Sequence, residues 1–495
     1  MGKIAKQSIQ GSAYNYVGAV LGFLSAGLLM PKFLSPEQVG LVNLLIAITL
    51  IFSAFSTLGF NSILTRLFPY FRAPAGKHSG ILSLGLLVTT VGISLTLIVV
   101  FVFADTIIAQ KPGESPLLRN NYYYLPILII FASLFSLLDT YNRMLYDAVS
   151  GILFREVIVR ALNLVLIGLY IFEIINFSDF VLYYVIAYNS PTLLIAVVLI
   201  IRGDFYISRP NWKLMRSMKK EMAGVAFFGI LTVFSSLAVM NIDKYMINYY
   251  LGLSATGIYS VSFYFATLIL IPSRAIRKIS GIFIADAWKE NKPEQIQLIY
   301  KKSSINMLLI GVLLFVGIWS NIENIFKILP DYSEGRYVIL FIGLANIFEM
   351  ASGVSAGIIS SSKNYKVNAY IMLFMIAGIV VSNIIFIPLY GLAGGALASL
   401  IAVFLTALLR FLFLLFRYGF QPYRPRHLYI LLTGALILFI NQYIPEPDSF
   451  YLDILIRSSI ISVLFALIAY FAKFSEDANE LADKIFTQIV RKFKK

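Results

Sequence analysis

Long apolar stretches alternate along the chain with short polar connections, most of them basic. Fourteen apolar stretches stand out, at roughly 12–33, 37–60, 80–104, 122–148, 152–173, 178–201, 222–248, 254–276, 298–321, 335–360, 365–388, 391–416, 427–444 and 453–472. Most reach the ~20 residues that a helix needs to cross the hydrocarbon of a bilayer. The alternation at period two that marks the strands of an outer-membrane barrel is absent. The pattern predicts an all-α polytopic membrane protein of about 14 transmembrane helices.

One stretch organises the rest, Asn241 to Ser260, which holds the end of one apolar helix, a short turn and the start of the next. It has an echo 217 positions upstream. Phe33-Leu-Ser-Pro-Glu-Gln-Val-Gly-Leu41 falls on Tyr250-Leu-Gly-Leu-Ser-Ala-Thr-Gly-Ile258, with Gly40 on Gly257 and Leu34 on Leu251. The match sits at the same hairpin of two similar halves, which reads as a duplication. It predicts two pseudo-symmetric six-helix bundles plus two C-terminal helices, with Ala26 the counterpart of Asp243. The expected divisions are 1–212 (first bundle with a basic linker), 213–420 (second bundle), 421–473 (the two appended helices) and 474–495 (an amphipathic tail).

Charge then orients the helices. With the N-terminus in the cytoplasm, 32 of the 40 Lys and Arg fall in cytoplasmic segments and helix ends. Six fall outside: Lys32, Lys111, Arg119, Lys327, Arg336 and Arg457. Acids such as Asp105, Glu114, Asp331 and Asp448 gather on that outer side. This positive-inside split predicts both termini in the cytoplasm, and an error of one helix would destroy it. It also accounts for the net charge of +15 without nucleic acid. The cluster from Arg202 to Lys220 is the expected linker and a contact for anionic lipid. The first apolar segment is longer than the ~7–15 residues of a cleaved signal and is read as a retained helix. The tail from Ser475 carries Leu481, Ile485, Ile489 and Phe493 at spacing four, with Lys484, Arg491, Lys492, Lys494 and Lys495 around them. It is expected to lie on the cytoplasmic membrane surface.

The chain has no cysteine, which excludes disulfides and thiolate metal sites. Its two histidines, His78 and His427, are placed in basic loops, neither with a metal-ligand partner at helical spacing. No Walker A loop, H-E-x-x-H or nucleophile elbow is present. Gly391-Leu-Ala-Gly-Gly-Ala396 has the small residues of a helix-packing surface. The outer loops are too short for a soluble catalytic domain, which argues against a membrane-embedded glycan polymerase.

Charges inside apolar stretches are expensive and mark candidate functional groups. Glu349 lies about fourteen residues into its stretch, ~20 Å deep at 1.5 Å per residue. No base in its own helix stands at pairing distance, so it pairs across helices, faces water or is protonated. Its functional reading is an ion- or proton-coupling group, and its plain reading a structural hydrogen bond. Asp139, Arg143 and Asp147 recur at spacing four on one helix face, as do Glu156 and Arg160 on the next. They either compensate one another locally or present Arg143 and Arg160 to an anionic substrate. Asp243 and Lys244 are consecutive and need not pair. Arg66, Arg274, Arg277 and Lys278 close helices at the cytoplasmic side, where they anchor lipid or attract an anionic headgroup.

Three motifs carry a resemblance. Phe33–Leu41 resembles the first hairpin of the polysaccharide transporters in the multidrug/oligosaccharidyl-lipid/polysaccharide exporter superfamily. Asp243-Lys244 with Leu251-Gly252 and Gly257-Ile-Tyr259 resembles their seventh-to-eighth helix signature. Pro388-Leu-Tyr-Gly-Leu-Ala-Gly-Gly-Ala396 resembles the turn between helices eleven and twelve. The likeness covers nearly the whole chain. It implies a Wzx-type flippase of the bacterial inner membrane, with two bundles around a central, often cationic cavity. Such proteins move undecaprenyl-diphosphate-linked glycans outward by alternating access, for surface polysaccharide or O-antigen. Sister members export drugs or flip lipid II. On this reading Arg143, Arg160, Lys244, Arg66 and Arg274 hold the substrate headgroup, while Glu349, Asp243 and Asp139 couple or gate. The expected partners are a polyprenyl-diphosphate-linked glycan, membrane lipids and other polysaccharide assembly proteins, with no nucleic acid. No cofactor or metal is expected beyond a candidate coupling to H+ or Na+.

Overall fold

The structure, a computed structural model, describes residues 3–72, 78–108 and 116–493. Lys111, Glu114, Lys494 and Lys495 lie outside the described residues, as do the side chains of Lys3, Lys6, Ile485, Ile489, Arg491, Lys492 and Phe493. Helices are the regular structure throughout, with no strand among the described residues. Hydrocarbon offers no partner to a free N–H or C=O, so spanning segments must close their hydrogen bonds internally. Each of the fourteen apolar stretches forms helix. Nine described helices are long and apolar enough to cross a membrane, ten if the bent pair Pro330–Ala351 and Ser355–Ser361 is one span. Two of the nine are double. Lys219–Lys289 is broken at Gly252 (φ 86°) and Lys366–Tyr418 at Gly391 (φ 59°). These positive φ values are cheap for glycine and costly for other residues, so the chain reverses at those points.

The described residues divide by packing into two compact units, Met1–Val261 and Ser262–Lys495. In the first unit, helix Lys3–Gly22 continues through a π-helical turn, Phe23–Leu29, to Phe33. Leu34 is extended, and Ser35 starts helix Pro36–Ser56 with a capping box: its hydroxyl accepts from the Gln38 amide while the Gln38 side chain accepts from the Ser35 amide. Buried leucines and aromatics from Phe60–Phe71, Ile81–Val102 and Tyr124–Met144 fill the core. On the lipid side, Leu87, Val91, Leu95, Ile98 and Val102 form an exposed stripe along Ile81–Val102.

The echo has a physical counterpart inside this unit. A Cβ on Gly40 would strike the Leu253 carbonyl and the Gly257 amide, and a Cβ on Gly257 would strike the Pro36 carbonyl and the Gly40 amide. Pro36 and Leu253, like Gly40 and Gly257, are 217 positions apart. The contact is therefore reciprocal: each residue meets the partner of its own counterpart, as a local two-fold axis requires. Glycine at both positions lets the two helix starts touch backbone to backbone, the usual way helices associate where no hydrophobic force drives them together. Packing thus groups the seventh stretch and the start of the eighth with the first six, whereas the division expected near 212 follows the repeat.

In the second unit, Pro293–Ser320 runs centrally. Its Met307, Leu308, Val312 and Val316 are buried with Ile347, Met350, Ile430, Ile437 and Phe465. The two C-terminal helices, Pro425–Asn441 and Phe450–Phe471, join that core, and Ser475 caps the tail helix Glu476–Phe493 by accepting from Ala478. Gly391 breaks its helix pair with nothing packed against it among the described residues, while Gly394 lies against the Phe386 carbonyl, as the small-residue packing reading expects. The histidines are not in open loops. His78 is buried beside Phe68, Tyr141 and Tyr206, and His427 is buried with Nε2 2.9 Å from the Ser304 hydroxyl. His427 Nδ1 accepts from the Arg424 amide, whereas His78 packs through its ring and its Nδ1 is buried without a partner among the described residues.

The glycine contact yields a direct test. Gly257→Ala forces a methyl onto the Pro36 carbonyl and should cost about 1–3 kcal/mol, as overpacking does. Gly224→Ala, where nothing lies within 4 Å, should leave the thermal melting of the detergent-solubilised protein unchanged or slightly raised. Equal melting temperatures for the two variants would contradict the contact.

Candidate functional site

A cluster of three charges from three helices lies in the second unit. Glu349 stands near the end of Arg336–Ala351. Its Oε1 forms an ion pair with Arg277 Nη1 at 3.0 Å, and its Oε2 accepts from Arg410 Nη1 at 3.4 Å. Arg277 comes from Ile271–Lys289 and Arg410 from the second half of Lys366–Tyr418, so three helices meet at one carboxylate. Of the three ways Glu349 could be satisfied, pairing across helices is the one adopted. The Arg410 side chain is only 6% exposed, against 20% for Glu349 and 36% for Arg277. Two guanidinium groups share one carboxylate, leaving a net positive charge. The Nε of each arginine has no hydrogen-bond partner. A buried cation short of partners is a site for an anion.

Just past Glu349 the helix breaks. Pro330–Ala351 and Ser355–Ser361 meet at 51° around Gly353 (φ 57°). The bend frees the Ala351 carbonyl, which accepts from the Ser304 hydroxyl at 2.5 Å. A Cβ on Gly353 would strike Ser303 and Ser304, so only glycine allows this approach. The carboxylate therefore sits one turn from a hinge-like break whose polar groups are already satisfied.

Arg410 is the candidate residue that sequence reasoning missed, and Arg277 is expected there only as part of a basic rim at a helix end, not as a partner of Glu349. Arg274 was the expected ligand, yet it stands on an exposed face of Ile271–Lys289, and Arg277, three residues on, reaches Glu349. Arg410 lies well inside the last half of its apolar helix, and that depth was the available signal. Positive-inside counting treats it as a helix-end charge.

In the first unit, Arg143 Nε lies 3.2 Å from Asp139 Oδ2, and its Nη2 donates to Thr140 at 2.9 Å. Gly151 leaves the space that the Asp139 carboxylate fills. Arg160 lies 2.6 Å from Glu156 and also donates to the Gly18 carbonyl, tying the first helix to the fifth stretch. Both i,i+4 pairs form as their spacing implies, the second across the π-helical turn Leu153–Ile158. Asp243 is buried and accepts from the Tyr259 hydroxyl at 2.8 Å, clamping the hairpin on both sides of Gly252. Lys244 is half-buried beside it, and Arg66 is exposed on Phe60–Phe71.

Asp147 departs from the expected face. Helix Tyr124–Met144 ends before it, and Tyr146 turns the chain at φ 66°. The Asp147 carboxylate instead accepts from the Val149 and Ser150 amides and the Ser150 hydroxyl, and Arg202 lies 2.5 Å away. Burial raises its pKa, but the hydrogen bonds from Ser150, Arg202 and Asn142 outweigh burial and hold it at about 2.

Comparison with known proteins now adds to this geometry. The family described as "polysaccharide biosynthesis protein" matches residues 5–276, more than half of the chain. The chain belongs to that family. The MatE family also matches, over residues 229–389, and both lie within the multidrug/oligosaccharidyl-lipid/polysaccharide exporter superfamily, in which this protein is a multi-pass membrane member. Comparison with curated proteins gives no match. Among solved structures, the family member shares its fold with the lipid II flippase MurJ in an inward closed conformation. Their TM-score is 0.72 at 14% identity, over 94% of this chain and 100% of that one. A multidrug resistance MATE family transporter in an inward-facing conformation gives 0.61 at 16%, over 85% and 98%. A MOP superfamily transporter from Pyrococcus furiosus gives 0.55 at 15%, over 84% and 96%.

Two outcomes follow from the ion pairs. Glu349→Ala strands two cations and should cost about 3 kcal/mol or more. Arg410→Met leaves Glu349 with Arg277 and should cost less. Melting temperatures in detergent should fall in that order, and the reverse order would show that Arg277 contributes nothing. The second outcome concerns acid. A carboxyl held below its unfolded pKa stabilises the fold above about pH 4, and that contribution is lost as pH falls toward 2. Asp147→Asn should therefore remove at most about 2 kcal/mol at neutral pH, and the stabilities of variant and wild type should converge near pH 2.

Proposed function

We propose that this protein is a flippase for lipid-linked oligosaccharides, carrying undecaprenyl-diphosphate glycans outward across the bacterial inner membrane by alternating access, for surface polysaccharide or O-antigen. The observation that carries this reading is the net-positive Arg277–Glu349–Arg410 cluster inside apolar helices, in a family named for polysaccharide biosynthesis. A diphosphate is anionic and cannot enter hydrocarbon unaided. Guanidinium groups with free N–H donors can replace the water it loses. Holding such charge within a span costs free energy that a scaffold has no reason to spend.

In this reading Arg143, Arg160, Lys244, Arg66 and Arg274 assist with the headgroup, and Arg277 and Arg410 join them. Glu349, Asp243 and Asp139 gate the cycle or couple it to H+ or Na+. The 217-residue repeat makes 1–212 and 213–420 the two bundles that alternate, with both termini in the cytoplasm. The polyprenyl tail stays in lipid throughout. The protein itself performs transport and no bond chemistry.

The test is transport by the purified protein in liposomes, with polyprenyl-diphosphate glycans, lipid II and a cationic drug offered in parallel. Transport of the glycan-lipid should exceed the other two. Arg160→Ala should slow it by about tenfold, the cost of one charge-assisted hydrogen bond, and Arg160→Lys should restore only part, because an ammonium lacks the planar fork. Glu349→Gln should lose dependence on an imposed ion gradient. Transport of lipid II alone, or of the drug alone, would replace this reading with one of the sister functions.

A further inference from the structure

A second polar site lies in the second unit, away from Glu349. Helix Pro293–Ser320, the short helix Ile322–Ile328 and the C-terminal helices Pro425–Asn441 and Phe450–Phe471 line a half-open cavity of about 810 Å³. At its base Asp453 and Arg457 are almost fully buried, 3% and 4% exposed. Asp453 accepts from Arg457 Nη2 at 3.0 Å and from the Asn324 side-chain amide. Arg457 Nη1 donates to the Asn441 side chain at 2.9 Å and to the Asn441 carbonyl at 3.1 Å. At the rim Arg336 pairs with Glu323, and Glu446 lies 3.7 Å from Arg457.

Two features decide what such a cavity can hold. The first is charge. Its three acids, Glu323, Glu446 and Asp453, balance its three bases, Lys327, Arg336 and Arg457, and both arginines are already engaged by carboxylates. An anion finds little uncompensated charge here, in contrast to the Glu349 cluster. The second is unmet hydrogen bonding. Ser320 and Asn324 are among the lining residues and are more than nine-tenths buried, and Ser320 Oγ and Asn324 Oδ1 have no partner among the described residues. Buried acceptors without donors are costly. Gln442 adds an exposed amide, while Trp319 and Phe439 add ring surface. A neutral wall rich in amides and carboxylates, with unmet acceptors and aromatic rings, suits a ligand with many hydroxyls on an apolar ring. The volume is within the ~300–1,000 Å³ of ordinary small-molecule sites.

We propose that this cavity binds a short uncharged oligosaccharide. The inference rests on the transport reading for the ligand's source. In the orientation proposed above the cavity opens on the outer face, so its occupant is the glycan of the translocated lipid. The cavity receives the sugars as they emerge, and release of the diphosphate by the arginines follows as a separate event. Selectivity for the glycan then resides here, and the headgroup site remains indifferent to it.

The test uses the full chain in nanodiscs. The probe is the glycan pool released by mild acid from the polyprenyl-linked lipids of the host cells, observed by saturation-transfer difference NMR. Saturable transfer to sugar protons is expected, weakened by about tenfold in Gln442→Ala and in Trp319→Leu, the loss typical of a residue central to a binding site. Gln442 is exposed, so its variant reads binding even where Trp319→Leu unfolds. Absence of transfer, equal transfer to wild type and Gln442→Ala, or transfer confined to a phosphatidylethanolamine headgroup would each overturn the proposal. The same preparation is assayed for transport. Glycan binding that depends on Gln442 without transport supports the cavity and removes the flippase reading. Transport with Gln442-independent binding removes the cavity alone.

Discussion

Hydrocarbon gives no partner to a charge, and the placement of Glu349 follows from that constraint. A carboxylate within a span has to find cations on other helices, and it finds two. The three helices that meet there are fixed in rotation as well as position, because a guanidinium reaches only a few ångströms. The nearby break at Gly353 is held by the same logic, since its freed carbonyl is taken by Ser304. Ser304 also bonds His427 on the first of the C-terminal helices. Charge pairing and backbone satisfaction thus reach from the eighth stretch to the thirteenth through contiguous side chains.

The first unit is held differently. Its key approach is backbone on backbone at Gly40 and Gly257, with the Asp243–Tyr259 hydrogen bond clamping the adjoining hairpin. Small residues let helices touch where water cannot drive them together. A polar clamp across a glycine break fixes the hairpin angle without filling space. The Asp139–Arg143 and Glu156–Arg160 pairs are local, and each compensates charge along its own stretch. Their arginines still carry further donors, which Thr140 and Gly18 occupy. A headgroup that recruited these arginines would have to displace bonds of ordinary strength, not strong buried ones.

Within the second unit the two polar sites have opposite characters. The Glu349 cluster is net positive and short of acceptors. The cavity at Asp453 is balanced in charge and short of donors. A lipid-linked glycan has the complementary division, a diphosphate at one end and hydroxyls at the other. Under the proposed function, that division gives one chain a physical reason to keep two expensive polar sites in an apolar fold.

Much of this was legible in the sequence. Apolar length gave the helices, because every spanning backbone must satisfy itself. The short turn inside Asn241–Ser260 was legible too, because turns interrupt apolar runs, while the Ser35–Gln38 capping box and the positive φ of Gly252 and Gly391 come from the structure. The 217-residue echo made Gly40 and Gly257 counterparts, and the structure adds that the two touch. Spacing alone paired Arg143 with Asp139 and Arg160 with Glu156. Other features needed the tertiary structure. Asp147 left its expected face because the helix stops at Met144, a boundary that an apolar pattern blurs. Glu349 announced that it needed partners, but Arg277 and Arg410 lie 72 and 61 positions away. Which arginine reaches it depends on how each helix is rotated about its axis, and only packing against neighbours sets that rotation.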